Sequence, residues 1–251
     1  LRGMEMTDYK FGDKQARLWH QTIGLSLIQI FKEYLDAFFT RRKFFPVFEI
    51  KQKNIDKMIK KISKYKPVLI DGYAEAINLC ARYVSKNEKL SNKKISIISS
   101  AQMLPEHSRK LIEKNLNSTV YDKYGSREFS GIAYECNKHS GHHVVAENYI
   151  VEILKDNNPA KPNEVGEIVI TDLNNYCMPL IRYRIGDLAK SLGAKDCDCG
   201  RGLPLIGDIE GRVQSIIIGA NGKYLPGTYF SHLFKDYEFI VKQSDNTYKN
   251  K

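Results

Sequence analysis

Residues 95–126, which read ISIISSAQMLPEHSRKLIEKNLNSTVYDKYGS, decide the fold. The apolar run at residues 95–98 predicts a buried strand. Pro105 is placed to begin a helix that runs to about residue 115, because proline is favoured in the first helical turn. Residues 120–121 then begin another strand. Strand, helix and strand in this order indicate two parallel strands joined by a crossover helix.

The same order extends towards the N-terminus. Residues 68–70 predict another short buried strand, followed by a helix over about residues 74–86. In residues 55–62, isoleucine and methionine recur at steps of three and four, which predicts a helix that Pro67 ends. Residues 23–39 are also apolar at helical spacing. This part of the chain therefore predicts an α/β fold, in which helices cover a parallel sheet.

One edge of that sheet is the expected ligand site. Gly72, Ser99 and Tyr124 each stand where a predicted strand gives way to a loop. The carboxyl ends of parallel strands meet at the same edge, and ligands bind in the crevice outside it. We therefore expect these three loops to converge on one crevice.

The pattern changes in the second half of the chain. Short strands are predicted at residues 149–154, 167–171, 180–184 and 214–218, with Asn221-Gly222 as a hairpin turn. We expect these strands to form a small antiparallel β-barrel-like subdomain that packs on the α/β part.

Three regions follow from this change of pattern. They are an incomplete α/β subdomain at residues 1–142, a β-rich subdomain at residues 143–243 and a polar tail at residues 244–251.

Composition excludes several classes of protein. The 251 residues are 42% hydrophobic and 27% charged, which is ordinary for a globular protein and not for a disordered one. We find no apolar run long enough to span a membrane and no signal-peptide pattern at the start. The five cysteines are an odd number, which argues against a disulfide framework. The sequence predicts a soluble, cytoplasmic protein.

The net charge of +10 is concentrated near the N-terminus. Residues 1–70 carry 15 Lys or Arg against 7 Asp or Glu. A basic face of this kind is one route to nucleic-acid binding. A solvated helix face explains the same lysines, and no zinc-finger, RNA-binding or leucine-zipper pattern supports nucleic acid. We therefore do not expect a nucleic-acid partner.

Three short segments carry residues suited to nucleotide chemistry. In Tyr124-Gly125-Ser126-Arg127-Glu128, the aromatic ring is suited to stacking on a base and the carboxylate to holding Mg²⁺. Asp187 ends the segment of residues 182–187 and is suited to accepting hydrogen bonds from a ribose diol. Arg212, after Gly211, is a donor for ribose or phosphate oxygens. An ordinary turn, a turn aspartate and a surface ion pair with Asp208 or Glu210 explain the same residues without a ligand.

In this order, the three segments resemble motifs of the adenylate-forming superfamily of acyl-CoA ligases. Residues 124–128 match Y-G-x-T-E with Arg127 in place of threonine, and residues 183–187 match Y-R-T-G-D with Ile185 in place of threonine. Gly211-Arg212 matches the G-R that precedes the hinge of the family. Ser215 stands where the hinge residue is commonly Asp or Lys.

The resemblance narrows to one branch of the superfamily. Residues 166–173 and 178–184 look like the phenylacetate–CoA ligase branch. Residues 197–204 and 221–227, followed by 232–234, look like its capsule-biosynthesis CapK subgroup. The resemblance covers about residues 60–243 and implies part of the large N-terminal domain of an adenylate-forming enzyme.

The resemblance implies a two-step reaction. ATP and a carboxylate form an acyl-adenylate and pyrophosphate, and CoA or another acceptor then takes the acyl group. Glu128 would hold Mg²⁺ as the catalytic carboxylate, and Gly72 and Tyr73 would border the acyl pocket. The nucleotide-binding set carried over by position is Ser99, Ser100, Ala101, Tyr124, Gly125, Ser126, Asp187 and Arg212.

Two parts of the family pattern are expected outside these 251 residues. The Ser/Thr/Gly-rich phosphate loop is expected before Leu1, and the C-terminal domain with its catalytic lysine after about Gln243. The resemblance therefore predicts a partial chain that keeps most nucleotide contacts and does not catalyse adenylation. The alternative is a noncatalytic remnant that binds a nucleotide or a partner.

Four further residues suggest a metal centre. Cys136, His143, Cys197 and Cys199 supply the four ligands that structural zinc requires, although their spacing is not that of a standard finger. His139 and His142 compete for the position of the histidine ligand. Members of the CapK subgroup have Cys and His at similar places. The alternative is a set of free thiols and unrelated histidines.

Overall fold

A computed structural model describes residues 2–19, 26–47, 55–84, 90, 93–213, 216–218 and 224–226. The described residues form an α/β fold around a twelve-stranded mixed sheet. The predicted fold class is confirmed. No helix among these residues is long and apolar enough to cross a membrane.

The described residues form four α-helices, of which the last three pack on the first part of the sheet. They are α1 (Leu27–Phe39), α2 (Ile55–Tyr65), α3 (Ala74–Val84) and α4 (Glu106–Leu116). The apolar residues of α2 are buried as the spacing predicted, and the helix ends two residues before Pro67. Ser26 and Gln29 form a capping box at the start of α1, which satisfies two backbone N–H groups there.

The first five strands are parallel. They are β1 (Gln15–Leu18), β2 (Arg42–Phe44), β3 (Leu69–Tyr73), β4 (Ile95–Ser100) and β5 (Ser118–Ser126), in the spatial order β2-β1-β3-β4-β5. Their apolar side chains pack against α2, α3 and α4 as the first core. Residues 124–126, expected as a turn after a short strand, belong to β5 itself. Pairing with β4 and β6 extends the strand through them.

Antiparallel strands continue the same sheet. They are β6 (Ser130–Glu135), β7 (His142–Val144), β8 (Tyr149–Lys155), β9 (Asn158–Pro159), β10 (Val165–Asp172), β11 (Tyr183–Ser191) and β12 (Leu205–Arg212). They follow β5 in the spatial order β6-β7-β12-β11-β10-β8-β9. Their inner faces form a second core around Phe129, Ile132 and Ile168. The β5–β6 pairing joins the two halves into one sheet.

Several strands differ from the sequence prediction. The strand expected at residues 180–184 begins at Tyr183 and runs to Ser191, because Arg182 has a left-handed backbone (φ 48°) that interrupts the extended chain. The sequence also did not indicate six of the strands, namely β1, β2, β6, β7, β9 and β12.

The segment expected as a strand at residues 214–218 contains β13 (Ile216–Ile218), which pairs antiparallel with β14 (Tyr224–Pro226). The turn predicted at Asn221-Gly222, residues 214–215 and the polar tail lie outside the described residues.

Candidate nucleotide and metal sites

A cavity of about 670 Å³ lies at the carboxyl edge of the parallel strands. Helices α3 and α4 line one side of it, and strands β5, β11 and β12 line the other. Five of the residues predicted to bind nucleotide line this cavity, namely Ala101, Tyr124, Gly125, Asp187 and Arg212. Residues more than 80 positions apart in the sequence therefore meet at the edge where ligands of α/β sheets bind.

Asp187 is the centre of a polar triad in this cavity. The Tyr124 hydroxyl donates to Asp187 Oδ2 at 2.9 Å, and the Arg212 guanidinium forms an ion pair with Asp187, with 3.2 Å between Nε and Oδ1. Asp187 and Arg212 are directly paired across β11 and β12, which fixes their mutual position. Burial, followed by the neighbouring Asp187 charge, raises the pKa of Tyr124, so the hydroxyl keeps its proton and remains a donor.

Ala101 marks the point where the chain leaves β4. Its backbone is left-handed (φ 70°), which is uncommon for a residue with a Cβ and turns the chain at the cavity wall. Ser99 and Ser100 lie just before it, buried in β4, and are not among the lining residues. Ser99 and Ser100 therefore lie behind the cavity wall that Ala101 forms.

Ser126 and Glu128 lie where β5 turns into β6, beside the cavity and outside its lining residues. Glu128 is exposed. A hydrogen bond from the Ser126 side chain, followed by one from its own backbone, lowers the pKa of Glu128, and the Arg212 charge acts in the same direction. The carboxylate is therefore ionised and open to solvent, as an oxygen ligand for Mg²⁺ must be.

Gly72 and Tyr73 lie at the end of β3 and do not line the cavity. A Cβ on Gly72 would lie 2.7 Å from the Leu18 Cβ, so only glycine allows β1 and β3 to pair this closely. The Tyr73 ring contacts the Trp19 ring, with 4.4 Å between centroids. Gly72 and Tyr73 thus lie next to β1 and Trp19, away from the cavity.

Several lining residues were not predicted from the sequence. Asp122 and Lys123 directly precede the tyrosine of the first motif, and Asn78, His107 and Ser108 come from the helices. The sequence could have indicated the helix residues only through their place in the fold. The first turn of a helix that follows a parallel strand lies at the carboxyl edge of the sheet, where ligands bind.

The predicted metal ligands come together outside the cavity. The ligand atoms of Cys136, His143, Cys197 and Cys199 all lie within 4.8 Å of one another. The Cys136 and Cys197 sulfurs are 3.6 Å apart, and Cys199 Sγ is 3.4 Å from His143 Nε2. A tetrahedral zinc ion with bonds of about 2.0–2.3 Å separates its ligand atoms by roughly 3.3–3.8 Å. The donor set and its spacing therefore fit zinc.

The sheet decides which histidine joins the cluster. His142 and His143 are neighbours on β7 and point to opposite faces. His142 Nε2 is 3.1 Å from Asp122 Oδ2, and His139 Nδ1 is 3.3 Å from Glu135 Oε2. Both competing histidines are thus engaged with carboxylates, and His143 remains for the cysteines.

The thiols of the cluster differ in acidity. Burial raises the pKa of Cys136 to about 11. For Cys199 burial acts in the same direction, but hydrogen bonds from the Arg201 backbone and side chain outweigh it and lower the pKa to about 7. Cys199 is therefore more ready than Cys136 to bind a cation as thiolate.

A buried ion-pair network lies between the cluster and the cavity. Arg109 Nη2 donates to both carboxylate oxygens of Glu135 at 2.9 Å, and Nη1 donates to the Val120 carbonyl at 2.6 Å. Glu135 also accepts the Asp122 N–H at 2.7 Å. Burial acts to raise the pKa of Glu135, but the hydrogen bond from His139 and the Arg109 charge lower it to about 2.

Comparison with known proteins identifies relatives of the chain. No family model matches it. It is 31% identical to Protein CapK of Staphylococcus aureus over 135 residues, which is 53% of this chain and 29% of CapK. It is 31% identical over 123 residues to a phenylacetate-coenzyme A ligase of Thermus thermophilus, covering 47% of this chain and 27% of that protein.

The chain is similar in sequence to CapK and to phenylacetate-coenzyme A ligases. The recognition based on the sequence motifs is confirmed. The aligned part spans less than a third of the length of these curated relatives.

Solved structures show the same fold. The open conformation of 2-hydroxyisobutyryl-CoA ligase, in complex with 2-HIB-AMP and CoA, matches 94% of this chain and 53% of its own, with a TM-score of 0.71 and 16% identity. The anthranilate CoA ligase AuaEII with anthranoyl-AMP matches 89% of this chain and 44% of its own, with a TM-score of 0.62 and 15% identity. The chain therefore shares its fold with these CoA ligases.

Proposed function

We propose that this chain is the nucleotide-binding part of an adenylate-forming ligase, which activates a carboxylate with ATP. In the reaction, the carboxylate oxygen attacks the α-phosphate, pyrophosphate leaves, and an acyl-adenylate forms. The observation that carries the proposal is the convergence of Tyr124, Asp187 and Arg212 on one cavity at the carboxyl edge of the sheet. The relation to CapK and the phenylacetate-coenzyme A ligases supports it independently.

The proposed contacts follow the geometry of the cavity. Asp187 accepts hydrogen bonds from the ribose hydroxyls, and Arg212, which is already oriented by this carboxylate, donates to ribose or phosphate oxygens. The Tyr124 ring packs on the adenine. Ala101 and Gly125 form the wall beside the base, and Ser99, Ser100 and Ser126 support that wall.

The ion and the acyl group are assigned to neighbouring residues. Glu128, ionised and exposed next to Arg212, holds the Mg²⁺ that neutralises the phosphates. Gly72 and Tyr73 border the acyl pocket on the side of Trp19. The acyl acceptor is CoA or another nucleophile, as expected from solved relatives that bind acyl-AMP and CoA.

Calorimetry with AMP, and with ATP and Mg²⁺, tests the nucleotide site. Asp187→Asn keeps the size of the side chain and removes its charge, so we expect loss of about 1.5–3 kcal/mol of binding, or about 10- to 100-fold weaker affinity. Asp208→Asn is the control, because Asp208 is exposed on β12 and does not line the cavity. Equal affinity of both variants for AMP would contradict the assignment.

We also propose that the four-residue cluster holds structural zinc. Cys136 follows β6, His143 lies in β7, and both other cysteines lie between β11 and β12, so the ion would join three segments of the antiparallel half. Zinc bound this way contributes directly to folding, since the unfolded chain has no such site.

Three finer assignments complete the proposal. These 251 residues by themselves bind the nucleotide without turnover, because they contain no Ser/Thr/Gly-rich phosphate loop; release of pyrophosphate from ATP and a carboxylate would contradict this. A role in capsule or other surface-polysaccharide synthesis rests on the likeness to CapK.

A cytoplasmic location agrees with five free cysteines. The division into subdomains at residue 142 stays a prediction.

A further inference from the structure

A second polar cluster lies on the face of the sheet opposite the helices. On β1, Ala16 and Leu18 belong to the core under the helices, so Arg17 points to the other face. Arg17 Nε donates to Asp71 Oδ2 at 3.1 Å. Trp19 and Lys123 lie around this pair, and none of these residues belongs to the nucleotide triad.

Two atoms of this cluster lack hydrogen-bond partners. Asp71 is only 3% exposed, and its Oδ1 has no partner among the described residues. The indole N–H of Trp19 is also buried without a partner in the described part of the chain. Buried polar groups of a folded protein are normally hydrogen-bonded, so the indole N–H points to an acceptor on a ligand, whereas Asp71 Oδ1 can only accept and has no part in binding an anion.

The charges of the cluster do not balance. The ammonium of Lys123 lies 5.7 Å from the ring centroids of both Trp19 and Tyr134, and it forms no ion pair with a described carboxylate. The Arg17 guanidinium lies 5.5 Å from the Trp19 ring. Two cations thus share one carboxylate, Asp71. Burial lowers the pKa of Lys123, which Asp71 opposes, and an anion beside the ammonium would restore its preference for the charged form.

Lys123 connects this cluster to the nucleotide cavity. It lines the cavity and directly precedes Tyr124 on β5. Adjacent strand residues point to opposite faces, so Tyr124 faces the triad while Lys123 faces Trp19. Lys123 is two residues before Gly125, which is about 7 Å along the strand. A group attached to the nucleotide near Gly125 would therefore reach the cluster with its far end.

We propose that Arg17 and Lys123 bind a second anionic group at the far end of the acyl substrate, so that this site selects dicarboxylic acids over apolar monocarboxylic acids. The inference rests on the proposed function, since it places the reacting carboxylate at the nucleotide. The rings of Trp19, Tyr73 and Tyr134 enclose the acyl chain, and the indole N–H donates to the terminal carboxylate. The excess positive charge matches one added negative charge.

Stable mimics of acyl-adenylates test the selectivity. Succinyl, glutaryl and adipoyl sulfamoyladenosines are compared by calorimetry with butanoyl, pentanoyl and hexanoyl sulfamoyladenosines, which have the same numbers of carbons. We expect at least one diacid mimic to bind about tenfold or more tightly than its monoacid partner, the size of a charge-assisted hydrogen bond. Equal affinity in all three pairs, or preference for the monoacids, would overturn the inference.

Lys123→Met tests the residue itself. Methionine keeps an unbranched apolar stem beside Trp19 and Tyr134 and removes the charge. The readout is the diacid-to-monoacid ratio within the variant, so a general loss of affinity cancels. We expect the ratio to fall to about threefold or less. A ratio that stays at the wild-type value would contradict the role of Lys123. Lys123→Gln, which also removes the charge and keeps a polar end, gives the same test if Lys123→Met does not fold.

These experiments distinguish failure of the selectivity inference from failure of the proposed function. If AMP binds and the mimics show no preference for diacids, the selectivity inference is wrong and the nucleotide site remains supported. If neither AMP nor any mimic binds, both the proposed function and the selectivity inference are wrong.

Discussion

Arg109→Met is expected to destabilise the fold strongly. In the wild type, the Arg109 guanidinium forms two hydrogen bonds of 2.9 Å with Glu135 and one with the Val120 carbonyl. The Glu135 side chain is only 9% exposed. Removing one partner of a buried ion pair leaves an uncompensated charge, which costs about 3–5 kcal/mol.

The pKa of Glu135 reflects all the partners of this carboxylate, of which His139 lowers it most and Arg109 next. Its folded value of about 2 lies below the usual 4.5, so the carboxylate contributes about 3 kcal/mol of stability at neutral pH. Because the folded pKa is depressed, this contribution is complete above about pH 4.5 and is lost as the pH falls towards 2.

Urea unfolding at pH 7, followed by circular dichroism, measures the effect. Lys110→Met is the control, because the Lys110–Glu106 pair is exposed and such pairs contribute at most about 0.5 kcal/mol. Since protonation of Glu135 relieves the buried charge in the variant, its deficit relative to the wild type should shrink as the pH is lowered from 7 to 4. A loss below about 1 kcal/mol at pH 7 would refute the reasoning.

Two other substitutions test the metal cluster and the strand packing. Purified wild type and Cys177→Ser are expected to contain one zinc per chain, because Cys177 is exposed outside the cluster, whereas Cys197→Ser loses the ion and unfolds at lower temperature. Well under one zinc per wild-type chain would contradict the metal site. Gly72→Ala forces a Cβ against Leu18 and is expected to cost about 1–3 kcal/mol in urea unfolding. Gly202→Ala has open space around its Cβ and serves as the control; equal stabilities would contradict the packing argument.

The sequence predicted three of the five parallel strands and the helices between them, because those signals are local, whereas β1 and β2 were not predicted. The apolar spacing in α2 and the proline after it fix one helix and its end. Strand β12 escaped prediction because glycines and charges interrupt its alternation, and only pairing with β7 and β11 makes it a strand. The start of β11 depends on the left-handed backbone of Arg182, which no local pattern indicates.

The candidate sites divide in the same way. The sequence alone revealed three motifs, because each lies within a few consecutive residues: 124–128, 183–187 and 211–212. That they meet in one cavity depends on the register of β11 against β12. The cysteines were visible by residue type, whereas the choice of His143 needed the alternation of β7. The sequence did not indicate a role for Lys123, because a lysine in a strand is normally exposed to solvent. Its contacts with Trp19 and Tyr134 arise only when β1 and β6 come together with β5. The ligand roles of all these residues stay predictions.

The central claim is that Asp187 holds the ribose of a bound nucleotide. The most direct measurement compares AMP with 2′,3′-dideoxy-AMP by calorimetry, in the wild type and in Asp187→Asn. The account predicts that the wild type prefers AMP by about tenfold or more and that the variant binds both nucleotides with similar affinity. Equal binding of the two nucleotides by the wild type, or an undiminished preference in the variant, would contradict it.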